Sequence, residues 1–586
     1  MAPGDGVAGP VARWASVGAG AGGGLVAGVL VGALMEHQGM VAGRAGAPAW
    51  VAFGVLGVVV GAAMGPLHGH RAPGAAVAVP GGMTAGLLGW MVWFLTGEPL
   101  LRGEAPEWSA EAAGRAYREL VGCLLSGGLT GALYQGAALL VRRLAPPAPE
   151  PGPAARVVVV GGGFAGVAAA RRFERLALRG HRLDVTLVSA SNYLLFTPML
   201  AEVASGALQA RHISAPVRAA ASHTRFRHGT VEQIDPVRRT VTLDAGSGRP
   251  EALPYDHLVL AVGSVAHAAG LPGVDEHAFT LKDLGDARVL RDHVLALLER
   301  ADLEPDDRKR RQLLTFVVAG GGFAGTEAVA ELFDLVHSVL PYYPGIGEGD
   351  PRFVLVHSGA MILPELPPEL GAYALERLRA RGIEVRLGVR AAGAGPADVR
   401  LTSGELISTR TFVWTAGQRA NPLAATLPAE RGRGGALVVD ATMRVPGLEG
   451  VWAVGDCARI PAPDGGTYPP TAQHAQREGR QVADNIAAVV SGRAPRPFAF
   501  RTLGVFVALG HRTAAGEIRG RRFSGLAAWM LWRGIYLAKL PGIEKRARVL
   551  FDWALDLAFP RDIAVTAPPA HRFPAAARFP RPEEGS

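Results

Sequence analysis

Two glycine triplets in this chain have the spacing that holds a nucleotide pyrophosphate. They are Gly161, Gly163 and Gly166 in VVVVGGGFAGVAAA, and Gly320, Gly322 and Gly325 in TFVVAGGGFAGTEAVAEL. In a G-x-G-x-x-G turn the first glycine permits the bend, and the second lets backbone N–H groups approach the phosphates. The third allows close helix–strand packing. The following helix presents about half a positive charge at its N-terminus. Phe164, Ala165 and Phe323 lie within these turns and are read with them as cofactor-lining. One such motif also arises for purely structural reasons; two in one chain imply two dinucleotides with electrons passing between them. The first fingerprint is completed by YDHLVLAVGS, whose Gly263 closes a strand–turn over the cofactor, and by VWAVGDCARI. There Gly455 and Asp456 end a buried strand, and a carboxylate at that point accepts hydrogen bonds from sugar hydroxyls. Gly417, where the chain returns to the first domain, is counted with them.

These residues need parallel sheets to place them. β-Branched runs (Val157 to Val160, Phe316 to Val318) turn into alanine-rich helices, and the alternation continues from Arg156 to about Ile486. That pattern predicts an α/β fold with two Rossmann-like, doubly wound domains. The second fingerprint interrupts the first unit, so a nicotinamide domain inserted into an FAD domain is expected. The expected division is 1–144, a four-helix transmembrane region; 145–155, a Pro/Ala linker; 156–281, the first part of the FAD domain; and 282–417, the NAD(P)H domain. Then follow 418–495, the second part of the FAD domain; 496–562, a membrane-docking region; and 563–586, a disordered tail.

Composition narrows the function classes. The 586 residues carry a net charge of +9 with no long basic tract interleaved with aromatics, which favours an anionic membrane surface over nucleic acid. The two cysteines, Cys123 and Cys457, stand outside any C-x-x-C, which removes a disulfide framework, a zinc cluster and a dithiol pair. No metal site is expected. Apolar stretches near 15–35, 49–67, 75–97 and 119–141 each approach the 17–25 residues of a bilayer span. Their Gly and Ala content suits close helix packing in lipid. Four spans return the chain to its starting side, so a multi-pass protein of the cytoplasmic membrane is expected, with catalytic domains facing the cytoplasm. No acidic residue falls near a bilayer centre to relay pumped protons. Near the C-terminus, Leu526, Trp529, Met530, Ile535 and Tyr536 fall at helical spacing, with Arg533 and Lys539 interrupting them. This suits an amphipathic helix at the lipid interface, with a dimerisation or domain-docking helix as the alternative.

The chain from about 156 to 562 resembles the two-dinucleotide-binding flavoproteins and, within them, the type II NADH:quinone oxidoreductases, which do not pump protons. NYLLFTPMLAEVASG is similar to the family's flavin-lining segment and marks Thr197 and Pro198. GGGFAGTEAVAEL places Glu327 where the family has a glutamate beside the nicotinamide–flavin junction. TAQHAQREG is similar to the helix start at the family's quinone pocket and marks Ala472 and Gln473. The resemblance implies FAD as cofactor, NADH or NADPH as hydride donor and a membrane quinone as acceptor. Glu327 would position nicotinamide or supply a proton, and Gln473 would meet a quinone carbonyl. Three positions depart from the family. Ser189 and His357 replace the acids that grip ribose hydroxyls, which leaves NADH or NADPH open, and Arg477 stands at the second glutamine. A protein acceptor such as ferredoxin, or a membrane-tethered redox sensor, are the alternatives, and a homodimer is compatible.

Overall fold

The computed structural model describes residues 10–38, 49–67, 75–101, 103, 105, 106, 108, 115–144, 154–246, 248–268, 270–510 and 512–565. They form two compact units, 1–152 and 153–586. Residues 145–153 of the expected linker and 566–586 of the expected tail lie outside the described residues.

In the larger unit, Ala155–Val160 is the middle of a five-stranded parallel sheet. The order is Val451–Ala453, His257–Leu260, Ala155–Val160, Leu183–Ser189, Arg225–His228. Val157 to Val160 are all buried, as a strand covered on both faces requires, which explains the unbroken valine run. A second, four-stranded parallel sheet runs Glu384–Leu387, Arg352–His357, Thr315–Ala319, Thr411–Trp414. The first sheet takes its edge strand, Val451–Ala453, from beyond the second. The chain therefore crosses twice, along Ser264–Ala266 and back along Gln418–Ala420, and these crossings pair antiparallel with Ser264 opposite Ala420. Helix Phe164–Ala177 packs against helix Ala472–Val490 with no side chain between them at one point: a Cβ on Gly479 would lie 2.1 Å from the Ala165 carbonyl oxygen. Arg172 and Asp484 bridge the same pair of helices at 2.7 Å.

The C-terminal region opens with a three-stranded antiparallel sheet, Gly504–Ala508, Ala514–Ile518 and Arg521–Ser524, that sequence periodicity does not announce. Its strands are short, and two of the three contain a glycine. Helices Gly525–Lys539 and Ile543–Ala558 follow. Their apolar residues serve two faces: Ala528, Trp532, Val549 and Trp553 are buried, while Leu526, Met530, Leu550 and Phe551 are more than half exposed. Arg533 does not face outward. Its guanidinium lies over Trp529 at 4.0 Å and Trp553 at 4.6 Å, and 3.7 Å from the buried Glu202. Trp553 Nε1 donates to Glu202 Oε1 at 3.0 Å, and Arg561 pairs with Glu331 at 3.1 Å. Burial, with Glu331 nearby, pushes the Glu202 carboxyl up to about 8. The helices are thus tied to the two-sheet body through buried charge.

The smaller unit contains helices Pro10–His37, Ala49–Leu67, Ala75–Val92 and Tyr117–Leu144, the third continuing through a wider turn to Leu101. Glycine sets their contacts: a Cβ on Gly24 would lie 1.8 Å from the Gly57 carbonyl oxygen, and one on Gly82 2.0 Å from that of Gly127. Among the described residues one segment, Ala78–Leu100, has both the length and the apolarity to cross a bilayer. Ala21–His37 and Phe53–Ala62 are apolar but shorter. The expectation of four spans is therefore not carried by length and hydropathy, because glycine makes helix contact without adding hydropathy.

Replacing Gly479 by valine should destabilise the larger unit by about 1–3 kcal/mol through overpacking against Ala165. Denaturant unfolding of the purified chain measures this; an unchanged midpoint would contradict the contact.

Candidate functional site

Each glycine fingerprint becomes a strand, a turn and a helix N-terminus. Gly161 has φ +115° and Gly320 φ +118°, a backbone region that residues with a Cβ rarely adopt. A Cβ on Gly166 would lie 1.9 Å from the Gly161 carbonyl oxygen, and one on Gly325 1.8 Å from that of Gly320. These contacts press helices Phe164–Ala177 and Phe323–Val339 onto their turns. Gly163 and Gly322 are the N-caps, and neither receives a side-chain cap. A Cβ on Gly163 would meet no atom within 4 Å. Uncapped N–H groups facing open space fit a phosphate.

Ser189 and His357 end the second strand of each sheet and turn back onto the fingerprints. Ser189 Oγ is 2.6 Å from the position of a Cβ on Gly162. His357 Nδ1 accepts the Gly321 N–H at 3.1 Å. Histidine thus braces the second turn. Glu365, which the motif reading passed over, brings Oε1 to 3.8 Å from a Cβ built on Gly322.

Gly263 (φ +69°) and Gly455 (φ +73°) shape the two turns beside the first fingerprint. Asp456 follows Gly455; its Oδ2 accepts the Ser264 hydroxyl at 2.7 Å, and Oδ1 accepts no hydrogen bond among the described residues. That vacant acceptor fits a sugar hydroxyl. Gly417 lies so near the His267 carbonyl oxygen that a Cβ would come within 2.3 Å. It therefore shapes a crossing strand. The Gly455 N–H donates to Glu478 Oε2 at 2.7 Å. Burial pushes this carboxyl up to about 7, against the pull of the Gly455 bond. Glu478 lies within TAQHAQREG without being singled out there, and only the fold shows that it meets Gly455. Cys457 is buried, its thiol pushed up to about 11 by burial.

The strand Gly504–Ala508 brings Glu327 and Gln473 to one element. Ala508 N–H donates to Glu327 Oε1 at 3.1 Å. At the other end Gln473 Oε1 accepts the Leu503 N–H at 2.9 Å and its Nε2 donates to the Gly504 carbonyl at 3.1 Å. Gly504 and Ala508 stand four residue steps apart along the strand, about 13 Å. Burial pushes the Glu327 carboxyl up to about 8; the Ala508 N–H opposes this and Glu331 adds to it. Ala472 starts its helix, with Thr471 accepting the His474 N–H as cap. Arg477 donates to the Gln473 carbonyl at 2.8 Å and lies 4.0 Å over Phe500. Thr197 and Pro198 form a short turn after Phe196, whose ring meets Phe164 at 5.8 Å and Tyr536 at 6.0 Å, both edge-on. An aromatic wall therefore joins the first fingerprint to the C-terminal helix.

Residues 155–479 match the family model described as pyridine nucleotide-disulphide oxidoreductase. A probable NADH dehydrogenase of Dictyostelium discoideum is 32% identical over 396 residues, 66% of this chain and 87% of that protein. A type II NADH:quinone oxidoreductase of Mycobacterium tuberculosis is 28% identical, over 70% of this chain and 89% of that one. The chain belongs to the type II NADH:quinone oxidoreductases of this family. In fold it is similar to the solved structure of NDH2 from Plasmodium falciparum in complex with NADH, with a TM-score of 0.65 and 18% identity, covering 70% of this chain and all of that one. The helical unit before residue 153 lies outside the family match.

Gln473→Leu should free Leu503 and Gly504 and cost about 1–2 kcal/mol of stability. Amide exchange over 503–508 should quicken in this variant, and unchanged protection would refute the clamp.

Proposed function

We propose that this protein is a membrane-attached flavoenzyme that oxidises NADH and reduces a lipid quinone. The observation that carries the reading is the strand Gly504–Ala508, which links Glu327, on the helix of the second fingerprint, to Gln473, at the start of the helix packed on the first. One acid-bearing nucleotide site and one amide-bearing helix start thereby share a rigid support.

The first fingerprint holds the phosphates of FAD, with Asp456 Oδ1 as acceptor for its sugar hydroxyls; the second holds NADH. Bound FAD supplies a two-electron acceptor for hydride and a donor to quinone. NADH is the preferred donor, in line with the relatives named as NADH dehydrogenase and NADH:quinone oxidoreductase. Quinone reduction to quinol needs two protons, of which hydride brings one. Glu327, neutral up to about pH 8, holds the other where it is needed. Gln473 keeps one amide N–H beyond its bond to Gly504, and this N–H is the donor for a quinone carbonyl. Phe164, Phe196 and Tyr536 exclude water from the approach.

Attachment to lipid rests on two surfaces. Leu526, Met530, Leu550 and Phe551 present exposed apolar side chains, with Lys545, Arg546 and Arg548 on the second helix, as an interfacial helix pair does. In the N-terminal unit glycines face inward and Leu30, Leu34, Val55 and Val59 are about 60% exposed. That inversion of a water-soluble helical unit suits membrane insertion.

Purified chain mixed with NADH or NADPH, then with a soluble quinone analogue, tests the function. NADH should bleach the flavin faster than NADPH, and quinone should restore its colour; bleaching without quinone-dependent recovery would sink the proposal. Gly161→Ala should abolish flavin binding. Gly320→Ala should keep the flavin and raise the KM for NADH at least about tenfold, since a clash in a nucleotide turn costs more than 1.4 kcal/mol. Quinone-coupled turnover should fall as pH rises through about 8, where Glu327 loses its proton. In Glu327→Gln that limb should be absent and turnover lower at every pH. A limb that survives the substitution would assign the proton elsewhere.

A further inference from the structure

The two crossing strands between the sheets are spanned by a lysine that no motif marks. Lys282 follows Phe279, which is fixed to the edge of the four-stranded sheet: Phe279 N–H donates to the Phe412 carbonyl, and Trp414 N–H donates to the Phe279 carbonyl, both at 2.7 Å. Buried Asp286 orients the segment by accepting from Thr280 Oγ1 at 2.7 Å and from the Lys282 N–H at 2.9 Å. From this base the ammonium reaches Gln418 Oε1 at 2.8 Å, on the returning strand, and Ser264 Oγ at 3.1 Å, on the outgoing strand.

The hydroxyl of Ser264 has one proton. Gln418 Oε1 already accepts from the ammonium, and the Asp456 carboxylate oxygen is the nearer acceptor at 2.7 Å, so the proton goes to Asp456 Oδ2. The chain of donation therefore runs Lys282 to Ser264 to Asp456. It engages one carboxylate oxygen and leaves Oδ1 for the cofactor. Burial lowers the affinity of Lys282 for its proton and the Asp456 charge raises it, as expected for a partly desolvated ammonium serving a nearby carboxylate.

We propose that Lys282 is a positioning residue of the flavin site: acting through Ser264, it sets which oxygen of Asp456 is offered to the sugar hydroxyls of FAD, and by gripping both crossing strands it makes flavin retention and nicotinamide-domain placement interdependent. The proposal deepens the flavin reading of the first fingerprint and rests on it. Asp456 is the group in contact with cofactor; Lys282 acts on it from the opposite domain's edge.

The test uses the full chain and measures FAD dissociation by recovery of free-flavin fluorescence, together with KM for NADH and kcat at saturating FAD. Lys282→Met should weaken FAD binding about tenfold to a hundredfold, the range set by loss of charge-assisted hydrogen bonds. It should also raise the KM for NADH more than it lowers kcat. Ser264→Ala should weaken FAD binding in the same direction while leaving the KM for NADH closer to wild type, because the lysine still holds Gln418. In a double-mutant cycle, Lys282→Met combined with Asp456→Asn should bind FAD no worse than Asp456→Asn alone. Lys309→Met, an exposed lysine remote from the crossings, is the control and should change neither quantity. Wild-type FAD affinity in Lys282→Met, or strictly additive losses in the cycle, would overturn the proposal. If Lys282→Met fails to fold, wild-type FAD affinity in Ser264→Ala overturns it alone. Failure of the wild-type chain to bind FAD at all would instead overturn the flavin reading.

Discussion

Where Gly479 meets the Ala165 carbonyl, two helices approach more closely than any side chain would permit, and the rest of the site depends on that contact. It fixes helix Ala472–Val490 against the helix of the first fingerprint. Glu478 can then take the Gly455 N–H, and Gln473 can clamp the strand that Glu327 meets from the other side. The same device operates within each fingerprint, where the third glycine rests on the carbonyl of the first, and between helices of the N-terminal unit. Contact between main chains removes flexible side chains from the interface, so small displacements are costly and distances hold. A chain rich in glycine uses it here as a packing element as much as a hinge.

Charge is managed differently at the two ends of the site. Around the fingerprints, uncapped helix N-termini are left to a phosphate, and cationic side chains are not needed there. At the C-terminal helices, Glu202, Glu331, Arg533 and Arg561 are buried together, and a charge removed from water without its partner would be strongly destabilising. That network fixes how the interfacial helices meet the nucleotide-binding body. Arg533, which interrupts an apolar run in the sequence, is drawn into it under two tryptophan rings.

Much of the fold was legible in local pattern. The valine runs and the glycine triplets depend on residues near one another in sequence, and local sterics suffice to specify them. The strands after residue 503 were not legible, since they are short and packed by distant partners. Gln473 shows the limit most clearly. Its helix start could be read, yet its amide imitates a neighbouring strand, pairing with Leu503 and Gly504. The apolar spacing of Leu526, Trp529, Met530 and Ile535 gave a helix but could not say which side chains faced inward.

By itself the sequence determined that two dinucleotide turns exist, where they lie, and that no cysteine pair stands beside them, because glycine spacing and residue counts need no tertiary partner. Only the tertiary structure decided which groups act on those turns. Glu327 and Gln473 meet through a strand from the C-terminal region, and Asp456 is served by Ser264 and by Lys282 across the two crossings. The physical reason is range. A turn is set by the conformational limits of adjacent residues, whereas the burial that raises a carboxyl's affinity for its proton, and the hydrogen bond that aims a carboxylate, come from segments far away in the chain.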